Sequence, residues 1–76
     1  MTFHSKVALD ELVELADTAE DAARSAELTV KWLPEGSEAR GYVDEARSLF
    51  NQALARINSA RFAIEYADEV AATREP

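Results

Sequence analysis

The side chains in this sequence that could carry chemistry are mainly carboxylates, and their spacing places them on the outside of a helix. Four of them recur at intervals of three or four residues: Asp10, Glu14, Asp17 and Asp21. Residues spaced in this way share one helix face, which we call the acidic face. It is typical of an ordinary solvated surface. It is also the pattern expected of a dock for a basic partner, or of a mimic of a phosphate backbone, and both readings stay open.

Other residue types give catalysis little to work with. The chain has one histidine, His4, and no cysteine. No His or Cys cluster has metal-ligand spacing, and no glycine-rich loop could cradle a phosphate. Nothing in the pattern indicates a desolvated pocket that would tune the pKa of a carboxylate. We therefore predict a protein that is not an enzyme and that has no cofactor site and no metal site.

The charge balance indicates which partners the chain would avoid. Fifteen Asp and Glu against eight Lys and Arg give a net charge of −7, which repels nucleic-acid backbones and anionic membranes. We expect no direct nucleic-acid binding and no membrane association. The first residues do not resemble a signal peptide, and no run approaches the roughly 20 apolar residues of a membrane span. We expect a cytoplasmic protein.

Two helices must position all of these residues. Apolar residues recur with gaps of three and four in two long series, which predicts two helices with one apolar seam each. The first seam contains Leu9, Leu12, Ala16, Ala19, Ala23, Ala26, Val30 and Leu33. The second contains Val43, Ala46, Phe50, Ala53, Ile57, Ala60, Ile64, Ala67 and Ala71.

The break between the seams predicts a single helical-hairpin domain over residues 1–76. We expect helix 1 over about 5–33 with Ser5 as its N-cap, a turn over 34–37, and helix 2 over about 38–73. Pro34 should stop the first helix. Ser37 is the preferred N-cap of the second helix, and Gly41 is the alternative. A connection this short makes the two helices antiparallel neighbours.

The residues beside the seams divide the hairpin into two unlike edges. One edge, the charged edge, holds Lys6, Val13, Glu20, Glu27, Arg40, Arg47, Leu54, Arg61 and Asp68. Antiparallel pairing should bring Lys6 near Asp68 and Glu27 near Arg47. The other edge, the apolar flank, holds Ala8, Leu15, Ala22, Thr29, Tyr42, Leu49, Arg56, Ala63 and Val70. We expect Phe62 and Tyr66 to extend it.

A two-helix hairpin has no third element to cover such a flank, and large exposed apolar patches mark interfaces. We therefore expect an antiparallel hairpin that a second chain completes to a four-helix bundle. The predicted partner-binding residues are Leu15, Tyr42, Leu49, Arg56, Phe62, Ala63, Tyr66 and Val70. Arg56 should either lay its stem over the flank with its head in water, or pair with a carboxylate of the partner.

Two functional hypotheses follow from these surfaces. The first is a non-enzymatic protein–protein interaction module, such as an adaptor, small chaperone or assembly subunit, that binds a second copy of itself or another helical protein. The alternative is a small acidic inhibitor, for example phage-encoded, that mimics nucleic acid or docks on a basic site of a host protein through the acidic face.

Over Tyr42 to Ile64, the second helix begins near a tyrosine and continues in leucine and alanine. In this, the hairpin loosely resembles the small co-chaperones of type III secretion needle subunits. No diagnostic motif accompanies the resemblance. It would imply two other secretion proteins as the partners of the apolar flank.

Overall fold

The computed structural model describes residues 3–74, and side-chain burial is described for residues 4–71. It contains two α-helices, α1 over Phe3–Val30 and α2 over Glu38–Arg74, which pack against each other. No strand occurs among the described residues, so the predicted all-α class is confirmed for this part of the chain. The termini of the predicted domain, residues 1–2 and 75–76, lie outside it.

Helix α1 ends three residues before the predicted boundary at Leu33. The amides of Lys31, Trp32 and Leu33 each donate to a carbonyl three residues back, at 3.0–3.2 Å. This tighter pattern is common in the last turn of a helix. The residue before a proline is pushed out of the helical region, so Pro34 acts on the chain before it. At the other end, α1 already includes Phe3, so the predicted cap Ser5 lies inside the helix, and no Gly or Pro separates the two residues.

The turn is built by one glycine and one serine. Gly36 has a φ of 77°, a conformation that glycine adopts without steric cost. Ser37 Oγ accepts a hydrogen bond from the Arg40 amide at 3.2 Å, which is the N-cap bond predicted for this residue. The Arg40 guanidinium then donates to the Leu33 carbonyl at 3.2 Å. It satisfies a backbone acceptor near the end of α1.

Shared grooves show that the helices run antiparallel. Val30 lines one groove with Asp44, and Ala23 lines another with Asn51. A step back along α1 therefore corresponds to a step forward along α2. This pairing follows directly from the short connection.

The core between the helices is made of alanines. The buried apolar side chains among the described residues are Ala16, Ala19, Ala23 and Ala26, each 8–9% exposed, and no large side chain is fully buried. These are the central seam residues predicted for helix 1. Alanine at every central position lets the backbones approach closely, but each contact buries little apolar area.

The contact face of α2 is rotated from the predicted seam toward the charged edge, but it keeps five seam residues half-buried: Val43, Ala46, Ile57, Ala60 and Ile64. Ala53 and Ala67 are exposed, whereas Leu54, Arg61 and Asp68 of the charged edge are half-buried. Phe50, predicted to face the alanines of α1, is 37% exposed. The physical reason is size, because a larger side chain at the edge of the interface buries more apolar area than an alanine does.

The hairpin is thin and elongated. It measures 63 × 16 × 12 Å, with a radius of gyration of 17.6 Å. A compact domain of this length would have a radius of gyration of about 11 Å. Most residues therefore lie within one side chain of the surface, and few of them can be enclosed.

Candidate interaction surface

The apolar flank is exposed along both helices. Leu15 is 51% exposed on α1, and Tyr42 and Leu49 are 63% and 57% exposed on α2. Arg56 and Ala63 are also exposed, and Val70 is half-buried. All of these predicted binding residues lie on the same side of the hairpin, because they follow one helical row on each helix.

The rotation of α2 adds residues to this surface that the sequence pattern assigned to the core. Ala53 and Ala67 lie beside the row of Leu49, Arg56 and Ala63 and are exposed. The apolar flank is therefore wider on α2 than predicted. The sequence held a clue to this rotation, because Leu54 offers more apolar area to the helix interface than its neighbour Ala53. In the structure Leu54 is half-buried and Ala53 is exposed.

The aromatic pair predicted to extend the flank is split by its position on α2. Phe62 and Tyr66 are each 69% exposed and lie one turn apart. Helical periodicity places Tyr66 beside the row of Ala63 and Val70, and it places Phe62 one position further round, on the side away from α1. Tyr66 therefore borders the apolar flank, while Phe62 lies beyond it.

Charge is almost absent from the flank. None of the fifteen Asp and Glu residues falls on its two helical rows, although acidic residues make up a fifth of the chain. Arg56 is the one charged residue there, and it makes no hydrogen bond or ion pair with any described residue. At the end of the flank next to the turn, the Tyr42 hydroxyl donates to a Glu38 carboxylate oxygen at 3.0 Å. A partner of this flank would therefore be recognised by shape and apolar contact more than by charge.

The charged edge forms its ion pairs within each helix. Arg47 pairs with Asp44 at 2.8 Å, and Arg24 with Glu20 at 3.4 Å, both solvent-exposed. Glu27 and Arg47 line one groove as predicted, but they do not form an ion pair. Lys6 and Asp68 form none either, and Asp68 Oδ2 is buried without a hydrogen-bond partner within the described part of the chain. Exposed pairs within a helix contribute only about 0.3–0.5 kcal/mol each.

The acidic face lies on α1 opposite the contact with α2. All four of its residues are exposed, and none of their carboxylates is paired with a described Lys or Arg. The described residues, those of the acidic face included, contain no group of three His, Asp or Glu side chains that could hold a metal ion. Neither described helix is both long and apolar enough to cross a membrane.

Comparisons with protein-family models, with curated proteins and with solved structures find no match to this chain.

Proposed function

We propose that this protein is a non-enzymatic protein–protein interaction module, such as an adaptor, a small chaperone or an assembly subunit, that binds another chain through the apolar flank. One observation supports this most directly. Over residues 4–71, whose side-chain burial is described, the hairpin fully buries no large side chain and leaves ten large hydrophobic residues exposed. The partner's surface would supply the core that the hairpin lacks.

The solvent-accessible surface area also shows how little of the chain is buried. The chain exposes 5987 Å², whereas a compact monomer of 8.4 kDa exposes about 4,600 Å². The excess of about 1,400 Å² is larger than the roughly 800 Å² that each partner buries in a standard interface. A single interface of standard size would therefore cover a little more than half of this excess.

A matched pair of double variants tests this function. Leu15→Gln with Leu49→Gln removes two large side chains from the flank. Val7→Gln with Leu28→Gln removes two from the back of α1, where Leu28 is 52% exposed, almost the same as Leu15. We expect the flank variant to lose its bound chain, whether a second copy or another protein, and the control to keep it. Equal binding by both variants would contradict the proposal.

The alternative, an acidic inhibitor of a basic site, is favoured by the exposure of four unpaired carboxylates on the acidic face. An acidic inhibitor would respond differently to two changes. Binding would be abolished by replacing the acidic-face residues with Lys: Asp10, Glu14, Asp17 and Asp21. Raising the salt concentration would also weaken binding steeply, because exposed charges are screened within about 8 Å at physiological ionic strength. Binding through the apolar flank should survive both changes.

A further inference from the structure

We propose that the apolar flank binds an amphipathic helix of another protein, and that this helix carries a carboxylate within its apolar face that pairs with Arg56. This inference rests on the proposed function, because it names the partner of the same surface. It is carried by the position of Arg56 on the flank, by the absence of acidic residues around it and by the shape of the flank.

Arg56 lies in the middle of the α2 part of the flank. Its helical row runs from Tyr42 and Leu49 before it to Ala63 and Val70 after it, and its side chain is exposed. Leu49 and Ala63, the residues on either side of it in this row, are exposed as well. A chain that covers this row of α2 therefore also covers the side chain of Arg56.

The sequence around Arg56 offers it no carboxylate. Residues three or four positions away are its neighbours on the helix surface, and none of them is acidic: Gln52, Ala53, Ser59 and Ala60. The nearest acidic residues along α2 are Glu45 and Glu65, each more than two helical turns away. The flank row of α1 holds no Asp or Glu either. Arg56 accordingly forms no ion pair within the described part of the chain.

An arginine that is covered without a partner is costly. The guanidinium stays protonated in proteins, so Arg56 cannot lower this cost by losing its proton. Taking an ion out of water is unfavourable unless a partner of opposite charge compensates for the lost hydration. A carboxylate is the matching group, because it accepts two parallel hydrogen bonds from one guanidinium. The chain that covers the flank should therefore bring an Asp or Glu to Arg56.

The other charges of the chain favour a carboxylate at this place and oppose it elsewhere. Residues 46–64 form the longest stretch of the sequence without Asp or Glu, although they contain three arginines: Arg47, Arg56 and Arg61. Arg47 pairs with Asp44, and the Arg61 guanidinium donates to Asn58. Of the three, Arg56 is the one without a partner among the described residues. Away from this stretch, the net charge of −7 repels acidic groups.

The shape of the flank suits a helix. The hairpin is 63 Å long and 16 Å wide, and the flank rows follow its long direction. A helix can contact such a surface over several turns with residues at i, i+3, i+4 and i+7. A second copy of this chain offers no such helix from its own flank, because neither flank row contains Asp or Glu. The occupant is therefore a helix of another protein.

Selection of helical peptides on the full chain gives the first test. The library displays amphipathic helices about three heptads long, with each position of the apolar face varied among Leu, Ala, Gln, Glu and Lys. On wild type, we expect the selected helices to share a Glu within the apolar face. On Arg56→Glu we expect Lys at that position. Arg24→Glu makes the same change of charge outside the flank, and it should again select Glu.

Long-range attraction cannot produce this result, because the net charge of −7 favours basic helices in general. No selected helix, no shared Glu on wild type, or a Glu that persists on Arg56→Glu would overturn the inference.

A double-mutant cycle tests the pair itself. One selected helix and its Glu→Gln form are titrated against wild type and against Arg56→Gln, with fluorescence anisotropy as the readout. On wild type, the Gln form should bind about tenfold to a hundredfold more weakly. On Arg56→Gln, the two forms should bind equally. The same loss on both proteins would mean that the Arg56 guanidinium stays in water at the edge of the interface, and it would overturn the pair.

The flank variant, Leu15→Gln with Leu49→Gln, separates this inference from the proposed function. Selected helices that lose binding to this variant but share no Glu would overturn the carboxylate and leave the proposed function standing. Selected helices that bind the variant as well as they bind wild type would overturn both.

Sedimentation equilibrium tests a second copy as the occupant. We expect a wild-type mass of 8.4 kDa. Twice that mass, returning to 8.4 kDa in the flank variant, would place a second copy on the flank. That result would overturn the inference, and the proposed function would stand.

Discussion

At the scale of single residues, the four buried alanines decide how the helices meet. Ala16, Ala19, Ala23 and Ala26 extend no α1 side chain beyond Cβ toward α2. The α1 side of the interface is therefore shallow. Large side chains collect at its edges, where they remain partly exposed.

Enlarging one of these alanines should destabilise the hairpin. Ala23→Leu introduces three carbon atoms where α2 already contacts α1, and overpacking of this kind costs about 1–3 kcal/mol. The exposed Ala55 is the matched control, because Ala55→Leu keeps the helix propensity change and adds no clash. Urea unfolding measures both variants. Equal midpoints would place Ala23 outside the helix interface.

Ser37 provides a second residue-level prediction. Ser37→Ala removes the acceptor for the Arg40 amide and should cost about 1 kcal/mol, the usual loss for an N-cap. Ser59→Ala is the comparison, since Ser59 bonds only to the Ala55 carbonyl within α2 and alanine favours helix. We expect chemical denaturation to rank Ser37→Ala below wild type and Ser59→Ala at or above it. The reverse order would remove Ser37 as the cap.

At the scale of elements, the connection between the helices holds two glycines with opposite roles. Gly36 needs its positive φ for the turn, whereas Gly41 lies inside α2. A Cβ added at either position meets no atom within 4 Å. Steric clashes therefore do not affect an alanine at either glycine position. The two positions differ only in their backbone conformation.

Alanine at these two positions should change stability in opposite directions. Gly36→Ala forces a non-glycine residue into the left-handed region and should destabilise the hairpin by about 1 kcal/mol. Gly41→Ala should stabilise it by up to about 1 kcal/mol through helix propensity. Thermal melts followed by circular dichroism at one protein concentration compare them. A stabilising Gly36→Ala would mean that the turn does not need its left-handed residue.

At the scale of the whole molecule, the hairpin has the shape of half a bundle. Its radius of gyration of 17.6 Å and its large exposed area leave few side chains enclosed. Stability should then come largely from the second chain, as it does for dimers whose separate subunits fold poorly.

Thermal stability should accordingly depend on the concentration of a bound partner helix. A selected helix present at about a hundred times its dissociation constant should add about 2.7 kcal/mol of apparent stability and raise the Tm by roughly 10–20 °C. Leu49→Asp should abolish that dependence by placing a carboxylate in the binding surface. A wild-type Tm that stays constant at a helix concentration that saturates binding would contradict this dependence.

The sequence by itself determined the helices and the turn between them. Three-four spacing, Pro34 and the Ser37 cap are local features, and they act through the backbone within a few residues. It also indicated the apolar flank, because the flank rows of Leu15 and Leu49 contain no acidic residue. The end of α1 at Val30 was missed because the proline affects the turn that precedes it.

Only the tertiary structure decided which face of α2 meets α1. Two rows on α2 have the same three-four spacing, one containing Ala53 and the other Leu54, and periodicity cannot choose between them. The choice depends on how much area each row buries against the alanines of α1. Leu54 and Arg61 are half-buried, whereas Ala53 and Ala67 are exposed and widen the flank. That competition exists only once both helices are packed, because it compares contacts between residues far apart in the chain.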